Sequence, residues 1–252
     1  MILYFSATGN SRYVAERIAV SLSDRAVSKE QHHANISLAD GEFLGFVMPT
    51  NWFEVAVLVK SFMQSMTISG KPSYSFVVAT YGTTPGYVFS DARSLLKRKG
   101  IALDAGFSVK MPDNWTPMFD LSDSNKVAET NRKAETYIDN VIRLINARTH
   151  GNCMEKKQPY FLRVFTRPLL HWEQQTRFFH VEDSCIGCGL CARKCPVGAI
   201  EMHDKRPVWT KKRCTICLGC LHRCPKFAIQ YGKKTKQHGQ YQHPSITKKT
   251  DH

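Results

Sequence analysis

Each thing this sequence lacks removes a class of function. Nowhere in its 252 residues is there the run of about 18 consecutive apolar residues that a bilayer-spanning helix needs, so no membrane span is expected. The start, Met1-Ile-Leu-Tyr-Phe, reaches Ser6 and Gly9 with no basic lead and no long apolar stretch, and reads as a strand rather than a signal peptide. The dinucleotide fingerprint G-x-G-x-x-G is absent, and no other nicotinamide-binding module is recognisable. Cysteine is missing from everything before Cys153. Acidic residues are few in the C-terminal part: residues 151–252 carry 19 Lys+Arg against 7 Asp+Glu, residues 1–150 carry 16 against 14, and the net charge of +14 divides as +12 and +2.

The basic charge thus belongs to the C-terminal part, where it suits nucleic acid, an anionic membrane or an acidic redox protein. No base-reading element is visible, so nucleic acid is not the expected partner. An acidic redox protein is, and a small-molecule substrate is left open.

What is present is cysteine in one pattern. Cys185-Ile-Gly-Cys188-Gly-Leu-Cys191-Ala-Arg-Lys-Cys195-Pro196 is followed by Cys214-Thr-Ile-Cys217-Leu-Gly-Cys220-Leu-His-Arg-Cys224-Pro225. Each array is C-x2-C-x2-C-x3-C-P, and Ala199-Ile200 and Ala228-Ile229 follow the two prolines at matching offsets, so one unit has been duplicated. Three evenly spaced cysteines let a tight loop wrap three corners of a cubane, and small Gly187 and Gly189 let backbone amides approach the sulfurs. Structural zinc also uses paired C-x2-C motifs, but it takes four thiolates per ion and has no use for the third cysteine of each run. Thiols in metal-binding spacing also point to a reducing, cytoplasmic compartment. Cys153 lies outside both arrays and reads as a reduced thiol without a function.

Over residues 181–232 the chain resembles the bacterial two-cluster ferredoxins. The resemblance implies two [4Fe-4S] clusters with crossed ligands: Cys185, Cys188, Cys191 and Cys224 for one, and Cys214, Cys217, Cys220 and Cys195 for the other. About 50 residues with little aliphatic content hold their shape poorly by apolar burial alone, so cluster assembly should be coupled to folding.

Residues 1–150 alternate apolar strands with helical stretches: Ile2–Phe5, a helix from Asn10, Phe43–Met48, a helix near Val55–Met66, Phe76–Thr80, a helix near Tyr87–Lys99, Ala105–Lys110, and a long helix near Ser124–Arg148. That rhythm predicts an α/β fold with a doubly wound parallel sheet. The first strand runs into Ser6-Ala7-Thr8-Gly9-Asn10-Ser11. There the amides of a helix N-terminus, the hydroxyls of Ser6, Thr8 and Ser11, and the turn allowed by Gly9 suit a phosphate; an ordinary helix cap uses the same residue types. Ligands of such sheets bind beyond the C-terminal strand ends, which brings in Pro49-Thr50-Asn51-Trp52-Phe53 and Thr80-Tyr81-Gly82-Thr83. The loop at Ser6–Ser11 resembles the phosphate loop of flavodoxins. The likeness implies FMN, with Trp52 or Tyr81 against the ring and Phe53 as substitute.

The remaining segments are read by composition. Residues 151–180 form a linker or packing segment, in which Phe161, Phe165, Leu169, Leu170, Trp172, Phe178 and Phe179 alternate with arginines and should cover the seam between domains. Residues 233–252 read as a mobile basic tail. Taken whole, the chain resembles flavodoxin–ferredoxin fusion proteins found among anaerobes: a flavodoxin-like FMN domain over 1–150 and a small α+β two-cluster ferredoxin domain over 181–232. The function implied is electron transfer between clusters and flavin, as carrier or oxidoreductase. The alternative is a ferredoxin-type shuttle whose N-terminal domain docks a partner without holding flavin.

Overall fold

A computed structural model of the chain describes residues 1–28, 35–155, 168 and 171–247, so Phe161, Phe165, Leu169 and Leu170 lie outside the described residues. The chain divides into two compact units. One comprises Met1–Ser6, Asn10–Pro112 and the described residues from Glu129 to 155. The other comprises Ala7–Gly9, Asp113–Ala128 and the described residues from 168 to 247.

The first unit is α/β. Its elements run β1 (Ile2–Tyr4), α1 (Asn10–Ser21), β2 (Ala26–Ser28), β3 (Asn35–Ser37), β4 (Phe43–Asn51), β5 (Glu54–Val55), α2 (Val57–Ser65), β6 (Thr67–Ser69), β7 (Tyr74–Tyr81), α3 (Val88–Lys97), β8 (Ala105–Lys110), α4 (Ser124–Asn146) and β9 (Gly151–Asn152). The main sheet has the order β2-β1-β4-β7-β8-β9 with every pairing parallel, and β5 folds back antiparallel on β4. Its first five strands follow the flavodoxin-like doubly wound order, with the reversal between β1 and β4. All eight residues of β7 are buried, as expected of a strand covered on both faces. One face is packed by α1 and α4. Ala134, Ile138, Val141 and Ile145 make a helical stripe on α4 that meets Phe76, Val78 and Phe107 of the sheet, each large apolar side chain contributing about 1.5–3 kcal/mol.

Residues 151 and 152, expected at the start of a linker, instead extend the sheet as β9. Met154 beyond them is buried, and Glu155 N donates to Ser108 Oγ at 3.1 Å.

The second unit is small and α+β. It contains β10 (Phe179–Val181), α5 (Leu190–Arg193), β11 (Ile200–His203), β12 (Arg206–Trp209), α6 (Gly219–His222), β13 (Ile229–Tyr231), α7 (Thr235–His238) and α8 (Pro244–Thr247). Two antiparallel pairs, β10 with β13 and β11 with β12, express the duplication seen in the sequence. The core is aromatic: Phe179 stacks on Trp209 with centroids 4.8 Å apart, and Tyr231 meets Phe178, Phe179 and Trp115. Phe178 and Phe179, read from the sequence as cover for a seam between domains, are thus core residues of this unit.

The tail is also not a bare coil as far as residue 247. Thr235, Tyr241 and His243 are buried, because polar side chains find fixed partners: Tyr231 N donates to Thr235 Oγ1, and Gln240 Nε2 donates to Leu221 O and Cys224 O.

Candidate functional site

Each cysteine array forms a loop that closes on a one-turn helix, α5 or α6. The two loops share a backbone. Gly187 and Gly189 are left-handed in the first, and Ile216 and Leu218 occupy the matching left-handed positions in the second. A side chain at Gly187 would be blocked, since a Cβ there would lie 2.7 Å from Lys205 O in the β11–β12 turn. In the second loop Ile216 and Leu218 are buried in the core with Leu221 and Ile229, so apolar burial offsets a backbone conformation that such residues disfavour.

A cavity is lined by Cys185, Cys188, Cys191 and Cys224, with Ile186, Met202, Pro207 and Lys226 around them. Three thiols come from the first array and the fourth from the second. Burial raises the Cys191 thiol, and its neighbours Cys188 and Cys224 raise it further. Cys195 belongs with the other set. Burial pushes Cys214 up to about 12 and raises Cys217 and Cys220, and the nearby Cys195 thiol adds to all three. Cys220 also senses Cys191, so the two sets adjoin. The four thiols of the first set border a space. A cubane with four thiolate ligands fits that donor set.

Backbone amides address the fourth cysteine of each array identically: Ala199 N donates to Cys195 Sγ at 3.2 Å and Ala228 N to Cys224 Sγ at 3.3 Å. These were visible in the sequence only as the matching Ala-Ile pairs.

Two features were missed. Arg193 Nη1 donates to Cys188 O at 2.8 Å. His222, buried one position after Leu221, has Nε2 2.9 Å from Asn114 O and accepts from Tyr241 N at Nδ1. Burial holds its pKa down to about 4. The signal was available, because Arg193 and His222 occupy the same position of the repeat.

In the first unit, Ser6, Thr50-Asn51 and Thr80-Tyr81 all stand at C-terminal ends of the parallel strands β1, β4 and β7. Ser11 Oγ lies 2.8 Å from Thr80 Oγ1, and Asn10 Nδ2 donates to Pro112 O at 3.2 Å, so these polar groups are already partnered. Thr50 Oγ1 is buried and has no hydrogen-bond partner among the described residues. Trp52 and Phe53 form the two-residue turn of the β4–β5 hairpin, both left-handed, with φ of 47° and 67°. Type I′ turns of this kind ordinarily take Asn-Gly, so two half-buried aromatics here store strain. Tyr87 N donates to Phe53 O at 2.6 Å and pins the turn. Tyr81 is buried instead, its hydroxyl donating to Glu155 at 2.9 Å, whereas Gly82 is half-buried and Thr83 exposed. Of the aromatic candidates, Trp52 and Phe53 are therefore the accessible ones. An orphaned hydroxyl two residues before an accessible aromatic turn fits a planar polar ring such as isoalloxazine.

Thr8 and Gly9 belong to the second unit. Thr8 Oγ1 accepts from Asn114 Nδ2 at 2.6 Å, and Thr8 O accepts from His243 N at 2.8 Å. Gly9, at φ 103°, lies against His243 and Ile246, where a Cβ would clash with the Ile246 side chain.

The family described as 4Fe-4S binding domain matches residues 178–201. An uncharacterized ferredoxin of Methanocaldococcus jannaschii is 45% identical over 53 residues, covering 19% of this chain and 29% of that protein. A component of an ion-translocating oxidoreductase complex of Methanosarcina acetivorans is 39% identical over 49 residues, 19% of each chain. A ferredoxin-like protein in the nif region of Sinorhizobium fredii is 35% identical over 51 residues, 18% of this chain and 80% of that one. The chain thus spans less than a third of the length of the first two relatives. Among the described residues no helix is long and apolar enough to cross a membrane.

Proposed function

Since the chain belongs, through its C-terminal part, to the 4Fe-4S ferredoxin family and shares that family's electron-transfer chemistry, we propose that it relays electrons, holding two clusters in its second unit and FMN in its first. When bound, a 4Fe-4S cluster passes one electron at a time while FMN exchanges one or two, so together they would join one-electron carriers to a two-electron partner or substrate. The observation that carries this reading is the cavity bordered by Cys185, Cys188, Cys191 and Cys224. Cys214, Cys217, Cys220 and Cys195 are the ligands proposed for the second cluster, and the one-turn helices α5 and α6 that carry Cys191 and Cys220 touch each other, which supports exchange between the two sets.

For the flavin, Trp52 and Phe53 would face the ring and Thr50 Oγ1 would gain the partner it lacks. Ser6, Asn10, Ser11, Asn51, Thr80, Gly82 and Thr83 remain the polar surroundings proposed for the cofactor, with Thr8 and Gly9 as part of the same sequence motif.

The shuttle without flavin is favoured by a different observation. Thr8 Oγ1 and Thr8 O already accept from Asn114 and His243 N, and Ile246 lies against Gly9, so part of that turn is engaged within the chain.

The test is purification without oxygen, followed by iron, acid-labile sulfide and FMN assays on one sample. About eight iron and one FMN per chain supports the relay. Iron without flavin, even after incubation with FMN, selects the shuttle, and zinc in place of iron ends both readings.

A further inference from the structure

The two cysteine loops differ in what they offer to solvent. Ile186, between the first two cysteines of the first array, is 59% exposed, and Cys188 is exposed with it. The cavity that Ile186 borders has a mostly apolar wall of Met202 and Pro207 beside the thiols. The second loop turns its apolar side chains inward, with Ile216, Leu218 and Leu221 all buried.

Cations surround the exposed loop. Lys226 lines the same cavity, Lys205 abuts Gly187 through its backbone, and Arg193 reaches Cys188 O. Acidic groups are present here too: Glu182 pairs with Lys236, exposed Asp183 lies 3.5 Å from Arg206, and exposed Glu201 lies 3.7 Å from His203. Asp204 adds a further acid beside Lys205 in the turn, but cations outnumber these acids, since residues 205–236 contain ten Lys or Arg and no Asp or Glu. Transient electron-transfer contacts are small, with an apolar centre that brings redox groups close and a charged rim that sets the encounter rate.

We infer that the Ile186 edge of the first cysteine loop, rimmed by Arg193, Lys205 and Lys226, is the docking surface for an acidic one-electron carrier protein. The inference rests on the chain being an electron carrier and adds where its partner binds. The step moves one electron: the carrier is oxidised by one, the centre held by Cys185, Cys188, Cys191 and Cys224 is reduced by one, and no bond is made or broken.

The test uses the full-length, cluster-loaded chain, with iron measured on every sample. Reduction is followed by cluster bleaching in stopped flow, with a reduced acidic plant-type ferredoxin as donor and with dithionite as a small donor. Exchanging both rim lysines in Lys205→Glu/Lys226→Glu should slow reduction by the ferredoxin about tenfold at low salt, with the gap closing as salt is raised. Ile186→Ser should slow it at all salt concentrations. At matched salt both variants should lose clearly less of their rate with dithionite, a small anion, than with the ferredoxin, and Lys233→Glu/Lys234→Glu should stay within about twofold of wild type with either donor. Unchanged ferredoxin rates in the rim and Ile186 variants overturn the surface, as does an equal fall with dithionite, which would trace the effect to the centre itself. A chain that holds no iron removes the electron-carrier reading and this one with it, whereas full iron with unchanged rates removes the docking surface alone.

Discussion

The two cysteine loops began as copies and now solve the same backbone problem in opposite ways. Gly187 and Gly189 take the left-handed positions in the first loop at no steric cost, and the loop stays at the surface with Ile186 exposed. In the second, Ile216 and Leu218 take those positions, and their burial against Leu221, Ile229 and Phe179 compensates the strain. The ligand pattern thus constrains the loop but not its surroundings. One copy became core, and the other stayed open to solvent.

Whether the copies remain interlocked is decided at the fourth cysteine of each array. Because Cys224 borders the cavity of the first array, Cys224→Ala should empty that site while leaving the other. Iron per chain should fall from about eight to about four. Cys195→Ala should do the reverse, and the electron paramagnetic resonance spectra of the two reduced variants should be the two parts of the wild-type spectrum. Loss of the cluster from the array that carries the substitution would break the crossover.

A smaller effect separates core from surface. Leu218→Ala removes a fully buried side chain and should cost about 2–5 kcal/mol, seen as a lowered thermal midpoint of the cluster-loaded protein. Ile186→Ala, in the exposed loop, should stay within about 0.5 kcal/mol of wild type. Equal losses would mean that the two loops are equally supported.

How much of this was legible depended on whether the signal was local. The cysteine arrays and the strands β1, β4, β7 and β8 could be read because ligand spacing and apolar runs are short-range patterns. Strand β2 could not, since Ala26-Val27-Ser28 is three half-buried residues with no periodicity. The left-handed Ile216 and Leu218 were hidden because sequence reasoning associates positive φ with glycine, and only tertiary burial explains them. Thr235 and Tyr241 were hidden for a related reason. A polar, lysine-rich stretch reads as coil, yet Thr235 bridges Tyr231 N and Gln230, and Tyr241 N reaches His222. At the flavin candidates, the strand-end positions were predictable from topology, but the commitment of Tyr81 to Glu155 depends on a residue 74 positions away.

The smallest predicted effect concerns the repeat position where the copies differ most in chemistry. Arg193 in the first copy is exposed, while His222 in the second is buried between Asn114 O and Tyr241 N. Leucine at 222 would keep the volume but orphan both backbone groups, so His222→Leu should destabilise the cluster-loaded protein by about 1–3 kcal/mol. Arg193→Leu should change stability by no more than about 0.5 kcal/mol. The imidazole also sets a pH signature. Its folded pKa of about 4 lies below the ordinary value of 6.5, so an unfolded chain binds the proton more readily. The stability that neutral His222 contributes is complete above about pH 6.5 and declines as pH falls toward 4. Comparing thermal midpoints of wild type and His222→Leu across that window should show the gap between them narrowing at acid pH. A gap that stays constant would mean that the ring acts by packing alone, and the contrast with Arg193 would reduce to one of burial.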